Sequence, residues 1–136
     1  MRAFLDTNVF LYAAGSSHAQ KEPCVRVLKR VADGSLEATT NSEVVQEILY
    51  VLTRRGRRAD AVLLARRVAS LFPDLLPVTR DDVLGACDLV ERYPGLAVRD
   101  AIHAASMLRN GIKRVISVDA DFDQIRELRR VEPDRA

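Results

Sequence analysis

Short continuous apolar runs alternate along this chain with longer stretches in which apolar residues return every three to four positions. Ala3, Phe4 and Leu5 form the first run, of the kind found in strands buried on both faces. Val9 to Ala13 extend the apolar character too far for one strand, so the chain is expected to turn at Asp6-Thr7-Asn8 and continue as a helix. Gly15-Ser16-Ser17 interrupts it; a second helix follows around Pro23, with Val25, Leu28 and Val31-Ala32 at helical spacing, and Gly34 closes it. Leu36 to Thr40 reads as a strand, and Asn41-Ser42 as the N-cap of a helix from Ser42 to about Arg54 with Val44, Val45, Ile48, Val51 and Leu52 on its apolar face. After Arg54-Arg55-Gly56-Arg57-Arg58, a helix rich in Ala, Leu and Val runs to about Phe72, where Pro73 stops it. Leu75 to Val78 is expected as a third short strand, Thr79 as the cap of a helix running to Tyr93, and Val98 to Asn110-Gly111 as a helix with Ala101, Ile102, Ala105 and Leu108 inward. Arg114 to Val118 is the last clear strand. A helical turn through Ile125 and Leu128 and an edge strand near Val131 end the pattern.

Strands alternating with helices imply a three-layer α/β/α fold, its central sheet mainly parallel and joined by right-handed crossovers. Residues 1–136 fit one such domain. With 48% apolar and 29% charged residues the chain can bury a core, which sets it apart from disordered sequences. No run reaches the length of a membrane span and the N-terminus lacks the features of a signal peptide, so a cytosolic, cytoplasmic protein is expected. Cys24 and Cys87 lie far apart without metal-ligand spacing, and both read as reduced thiols in or near the core. A net charge of +2 is too small to announce a nucleic-acid binder. The arginines of the Arg54 to Arg58 turn fit an RNA-phosphate contact, a docking surface or a merely solvated cluster; Arg126, Arg129 and Arg130 read as exposed.

The chemistry lies in where the acids fall. In a parallel sheet every strand-to-helix junction opens on one rim, where ligands bind. Asp6 and Asp119 both end strands, while Glu47 and Asp100 sit near the N-terminal ends of helices that start from the same rim. Each acid also has an ordinary explanation. Asp6, Thr7 and Asn8 are good helix caps. Glu47 could snorkel from the edge of its apolar face, and Glu43, a turn earlier, suits the helix dipole. Asp100 suits it too, although on its helix it shares a side with Ala104 and Met107, small or apolar residues that would let a metal or polypeptide come close. Asp119 and Asp121 could be turn formers, which for Asp121 is the better fit. His103 reads as packed or hydrogen-bonded rather than a ligand.

One shared explanation replaces four separate ones. Carboxylates about 4 Å apart repel by roughly 4 kcal/mol per pair at an effective dielectric near 20, so they gather only around a cation or with raised pKa values. All-oxygen donors select a hard ion such as Mg²⁺ or Mn²⁺, whose natural partner is a phosphate.

Phe4-Leu5-Asp6-Thr7-Asn8, the helix start Asn41-Ser42-Glu43-Val44-Val45-Gln46-Glu47, Arg99-Asp100-Ala101-Ile102-His103-Ala104 and Val118-Asp119-Ala120-Asp121-Phe122 together resemble the PIN domain, and in size and order the VapC-type toxins of prokaryotic toxin-antitoxin pairs. The resemblance implies an Mg²⁺-dependent endoribonuclease. In it Asp6, Glu47, Asp100 and Asp119 match the acidic metal site, with Thr7, Asn8 and Asp121 in support. Asp6 and Asp100 would hold the metal, and Glu47 and Asp119 would complete its shell or orient water; a metal-activated water would attack phosphorus in line, leaving a 5′-phosphate and a 3′-hydroxyl. It further implies a homodimer and a small antitoxin that covers the acids, an antitoxin arginine competing for them. Two rivals remain: a PIN-like interaction module whose acids are structural, and a haloacid-dehalogenase-like phosphatase, which wants aspartate two residues after Asp6 where this chain has Asn8.

Overall fold

The computed structural model describes residues 2–136. Four short strands, β1 (Ala3–Leu5), β2 (Ala38–Thr39), β3 (Arg114–Ile116) and β4 (Arg129–Val131), pair entirely in parallel in the order β2-β1-β3-β4. Ala3 lies opposite Ala38 on one side and Arg114 on the other, and Ile116 opposite Val131. The central strand β1 is wholly buried, as its uninterrupted apolar run requires. Six helices flank the sheet: α1 (Thr7–Ala14), α2 (Lys21–Ala32), α3 (Ser42–Arg54), α4 (Arg58–Leu71), α5 (Arg80–Arg92) and α6 (Val98–Arg109). Phe4, Leu5, Phe10, Ile48, Met107, Ile116 and Phe122 lie in the core, where the Phe10 ring meets Phe72 edge-on at 6.0 Å.

Capping chemistry sets the helix boundaries. Asn41 is extended and its side chain accepts the Val44 N–H at 3.0 Å, starting α3. Thr79 and Asp82 form a reciprocal capping box at the head of α5. Between α3 and α4 the backbone reverses through Gly56 at φ +75°, a conformation in which only glycine is unstrained.

Four expectations are corrected. The strand at Leu75 to Val78 shrinks to one parallel bridge between Leu76 and Asn41, because Pro77 has no N–H to extend the ladder and the Val78 N–H turns to Ser42 Oγ. The late helical turn is a 3-10 helix at Ala120–Gln124, ending before Ile125, because Asp119 caps it early. Cys24 is buried, but Cys87 is exposed: α5 turns Asp82, Ala86 and Leu89 inward and leaves position 87 outside. Arg126 and Arg129 are exposed as expected, whereas Arg130 is largely covered, its guanidinium forked onto Asp123 at 2.9 and 3.1 Å and bonded to the Ser117 carbonyl. Among the described residues no helix is long and apolar enough to cross a membrane.

Candidate functional site

Because all strands run the same way, the segments leaving β1, β2 and β3 converge on one rim. Asp6 follows β1 and caps α1, its Oδ1 accepting the Thr7 N–H at 2.8 Å. Its other oxygen, Oδ2, accepts Ser117 Oγ–H at 2.7 Å and the Asn8 amide at 3.1 Å, so this buried carboxylate is held by three donors from two segments. Ser117, directly after β3, also accepts the Asp119 N–H at 2.9 Å, and Asp119 Oδ1 accepts the Asp121 N–H at 2.9 Å. Asp119 and Asp121 are thereby presented on a short hydrogen-bonded turn tied to Asp6.

The helices supply the remaining acids. Asp100, in the first turn of α6 and 8% exposed, has a carboxylate oxygen in a group with Asp119 and Asp121 whose members all lie within 4.8 Å of one another. Burial pushes its carboxyl up to about 7, helped by the charges of Asp6 and then Asp119. Asp6 is raised as well, by burial above all. Glu47, one turn into α3, accepts Thr7 Oγ1–H at 2.8 Å and faces His103 Nε2 at 3.2 Å, both at Oε1. Burial pushes Glu47 up, but the bonds from His103 and Thr7 outweigh it and hold its carboxyl below the ordinary value. His103 is fully buried, which disfavours its cation, yet the Glu47 bond and the charge of Asp6 more than compensate and raise its pKa.

Asp100, Asp119 and Asp121 thus form one group of oxygens, Asp6 is tied to it through Ser117, and Glu47 reaches Asp6 through Thr7 and His103. Asp121, more readily taken for a turn former, belongs to the closest group of oxygens; Glu43 forms no part of it. Ala104 and Met107 do not offer an approach beside Asp100, as their spacing suggested, because both are completely buried and back it with core. Sequence reasoning missed Ser117 as the hub linking Asp6, Asn8 and Asp119. Its signal was one hydroxyl inside the run Val115-Ile116-Ser117-Val118.

The donor set fits a hard divalent cation. The grouped atoms are carboxylate oxygens, and among the described residues no lysine or arginine pairs with Asp6, Asp100, Asp119 or Asp121. Burial first, and then the charges of Asp6 and Asp119, push the Asp100 carboxyl to about 7, which a bound cation would offset.

A small parallel sheet with acids gathered at the carboxyl rim defines the class, and residues 3–128 match the PIN domain. Two ribonucleases of Mycobacterium tuberculosis are close in sequence: VapC13, 32% identical over 93% of this chain and 97% of its own, and VapC7, 34% identical over 97% and 92%. Solved structures share the fold, among them M. tuberculosis VapC20, a sarcin-ricin loop cleaving toxin (TM-score 0.74, 23% identity, covering 89% of this chain and 92% of that one). Rickettsia felis VapBC2, bound to a DNA fragment from its promoter, is another (TM-score 0.75, 15% identity, 97% and 98% covered). The chain belongs to the VapC ribonucleases of the PIN-domain family.

Proposed function

We propose that this protein is a Mg²⁺-dependent endoribonuclease, the toxin of a toxin-antitoxin pair, acting in the cytoplasm. One observation carries the reading: Asp100, Asp119 and Asp121 meet at the carboxyl rim beside the triply bonded Asp6, with no lysine or arginine among the described residues paired to them. Asp6, Glu47, Asp100 and Asp119, with Asp121, are the residues that would hold Mg²⁺ or, less selectively, Mn²⁺. Such a cation supplies Lewis-acid charge for a water nucleophile and for the phosphate oxygens.

The chain's own part is preorganisation. Thr7, Asn8 and Ser117 hold Asp6 so that its carboxylate cannot rotate away. The turn of Asp119 and Asp121 is fixed to the same Ser117. Burial of Asp100 strengthens its attraction to a cation, whose charge would in turn draw a phosphate.

RNA cleavage by purified protein in Mg²⁺, against the same reaction in EDTA, tests this. Asp6→Asn and Asp100→Asn are each expected to reduce cleavage at least a hundredfold while circular dichroism stays unchanged; an Asp6→Asn protein as fast as the parent would defeat the assignment.

Two partners complete the proposal. Solved structures similar in fold include VapBC toxin-antitoxin complexes, which supports a small antitoxin covering the acids, with an arginine of its own competing for them. Exposed apolar side chains on α5, Val83, Leu84 and Val90, with Val98 at the start of α6, supply a surface for a homodimer. Sedimentation of the chain alone, and cleavage with and without the product of a neighbouring small gene, check these points. A monomer, or cleavage indifferent to that product, removes the corresponding partner.

A further inference from the structure

His103 has no part in the acid cluster itself, yet it is completely buried and both ring nitrogens are engaged. Nδ1 faces the Asn41 amide nitrogen at 3.3 Å, and Nε2 faces Glu47 Oε1 at 3.2 Å. The Asn41 amide cannot turn over, because its oxygen is committed to the Val44 N–H as the N-cap of α3. Its NH₂ therefore points at His103, so Nδ1 accepts from it and the ring proton sits on Nε2; this contact opposes the cation that the neighbouring carboxylates favour. The Phe4 ring, tilted against the imidazole with centroids 5.5 Å apart, fixes the plane in which that proton lies. Glu47 Oε1 then receives two donors, His103 Nε2–H and Thr7 Oγ1–H, while no hydrogen bond from the described residues reaches Oε2.

We propose that Asn41 and His103 form a positioning relay for Glu47: the helix cap selects the Nε2–H tautomer of His103, and that N–H, with the Thr7 hydroxyl, clamps Oε1 and keeps Oε2 for the cation. One asparagine thus starts α3 and sets the carboxylate that α3 carries. His103 is a positioning residue, since it acts on the cation through carboxylates, Glu47 by a direct bond and Asp6 from 3.9 Å. The cation's presence rests on the functional reading above; the tautomer does not.

Two kinds of variant test the relay. In His103→Gln the amide reaches about as far as Nε2 and keeps a donor for Glu47. In His103→Asn the amide reaches only about as far as Nδ1 and loses that donor. Mn²⁺ affinity, measured by titration with electron paramagnetic resonance, is expected to fall roughly tenfold in His103→Asn and to stay within about threefold of the parent in His103→Gln. Asn41→Asp keeps a good helix cap but shows Nδ1 an acceptor, so Nδ1 is expected to gain a proton while Nε2–H stays on Glu47. Long-range ¹H-¹⁵N correlation spectra of His103, recorded with Mg²⁺, read the tautomer directly in parent and variant, and unfolding curves confirm that each is folded. An Nδ1–H ring in the parent protein, or equal Mn²⁺ affinities for the His103→Gln and His103→Asn proteins, would overturn the relay. A parent protein that binds no Mn²⁺ overturns the cation half of it along with the functional reading, whereas the ring spectrum still decides the role of Asn41.

Discussion

Asp100 shows how burial beside other acids costs stability. Its carboxyl, near 7 when folded and near 3.8 in an unstructured chain, keeps its proton in the folded state across pH values where the unfolded chain has lost it. The folded state then binds more protons than the unfolded one, so without metal the Asp100 contribution to stability falls as pH rises from about 4 to 7. An asparagine at this position would be neutral throughout; accordingly Asp100→Asn is expected to leave stability at pH 4 nearly unchanged and to raise it by about one to a few kcal/mol at pH 8 in EDTA, a shift of several degrees. Thermal unfolding at the two pH values checks this, and a variant no more stable than the parent at pH 8 contradicts the strained cluster. Residues of this kind were partly legible beforehand. Asp6, Asp100 and Asp119 stood at positions that a parallel sheet brings together, but the roles of Ser117 and Asn41 at the site were not legible, because a hydroxyl after a strand and an amide at a cap each have an ordinary local use.

Among the elements, α5 and α6 are joined by an ion pair that spacing alone could not reveal. Asp82, buried in the capping box of α5, receives both the Nε–H and an NH₂ of Arg109 from the last turn of α6. Burial pushes the Asp82 carboxyl up, but the Arg109 bond, the Thr79 N–H and the Arg109 charge prevail and hold it below the ordinary range, so its contribution is present at neutral pH and lost on acidification. Asp82→Ala removes a cap and leaves Arg109 without its partner. It is expected to cost roughly 2–3 kcal/mol, read from denaturant unfolding, with Mn²⁺ affinity unchanged because Asp82 lies outside the acid cluster. A change below about 0.5 kcal/mol would mean the pair adds nothing to the packing of the two helices. Every α-helix was legible as an element, α2, α3 and α6 from apolar spacing and α1, α4 and α5 from run length, composition or caps. The strand expected at Leu75 to Val78 was not so reliable, since the apolar pattern says nothing about the ladder that Pro77 interrupts.

Across the whole molecule, a cavity of about 480 Å³ lies between α1 and the α3–α4 turn, lined among others by Asn8, Tyr12, His18, Arg55, Arg57, Asp60 and Arg67. Asn8 also bonds Asp6, so the cavity and the candidate site share a wall. Tyr12 and His18 stack there at 4.8 Å, a surface on which a base can lie, and Arg55 and Arg67 offer phosphate contacts, with Arg57 held at 2.9 Å by Asp60. Not all of the Arg54 to Arg58 turn takes part: Arg54 lies over the Tyr50 ring instead. Replacing Arg55, Arg57 and Arg67 with glutamine is expected to weaken RNA binding and to reduce the slope of log affinity against log salt by about 0.7 for each phosphate no longer neutralised, with Arg54→Gln as the contrast. An unchanged slope in the triple variant would assign these arginines to the scaffold.

The amino-acid order alone determined the α/β alternation, the parallel sheet and the rim toward which the acids point. Those properties follow from local periodicity and from the handedness of crossovers, which need no knowledge of distant contacts. Tertiary structure alone decided which oxygens lie within reach of one another, that Asp121 is among them, and that Asn41 and His103 stand behind Glu47. Hydrogen bonds and carboxylate repulsion act over a few ångströms, and segments as far apart in the chain as Asp6 and Ser117 acquire such distances only when the sheet has closed.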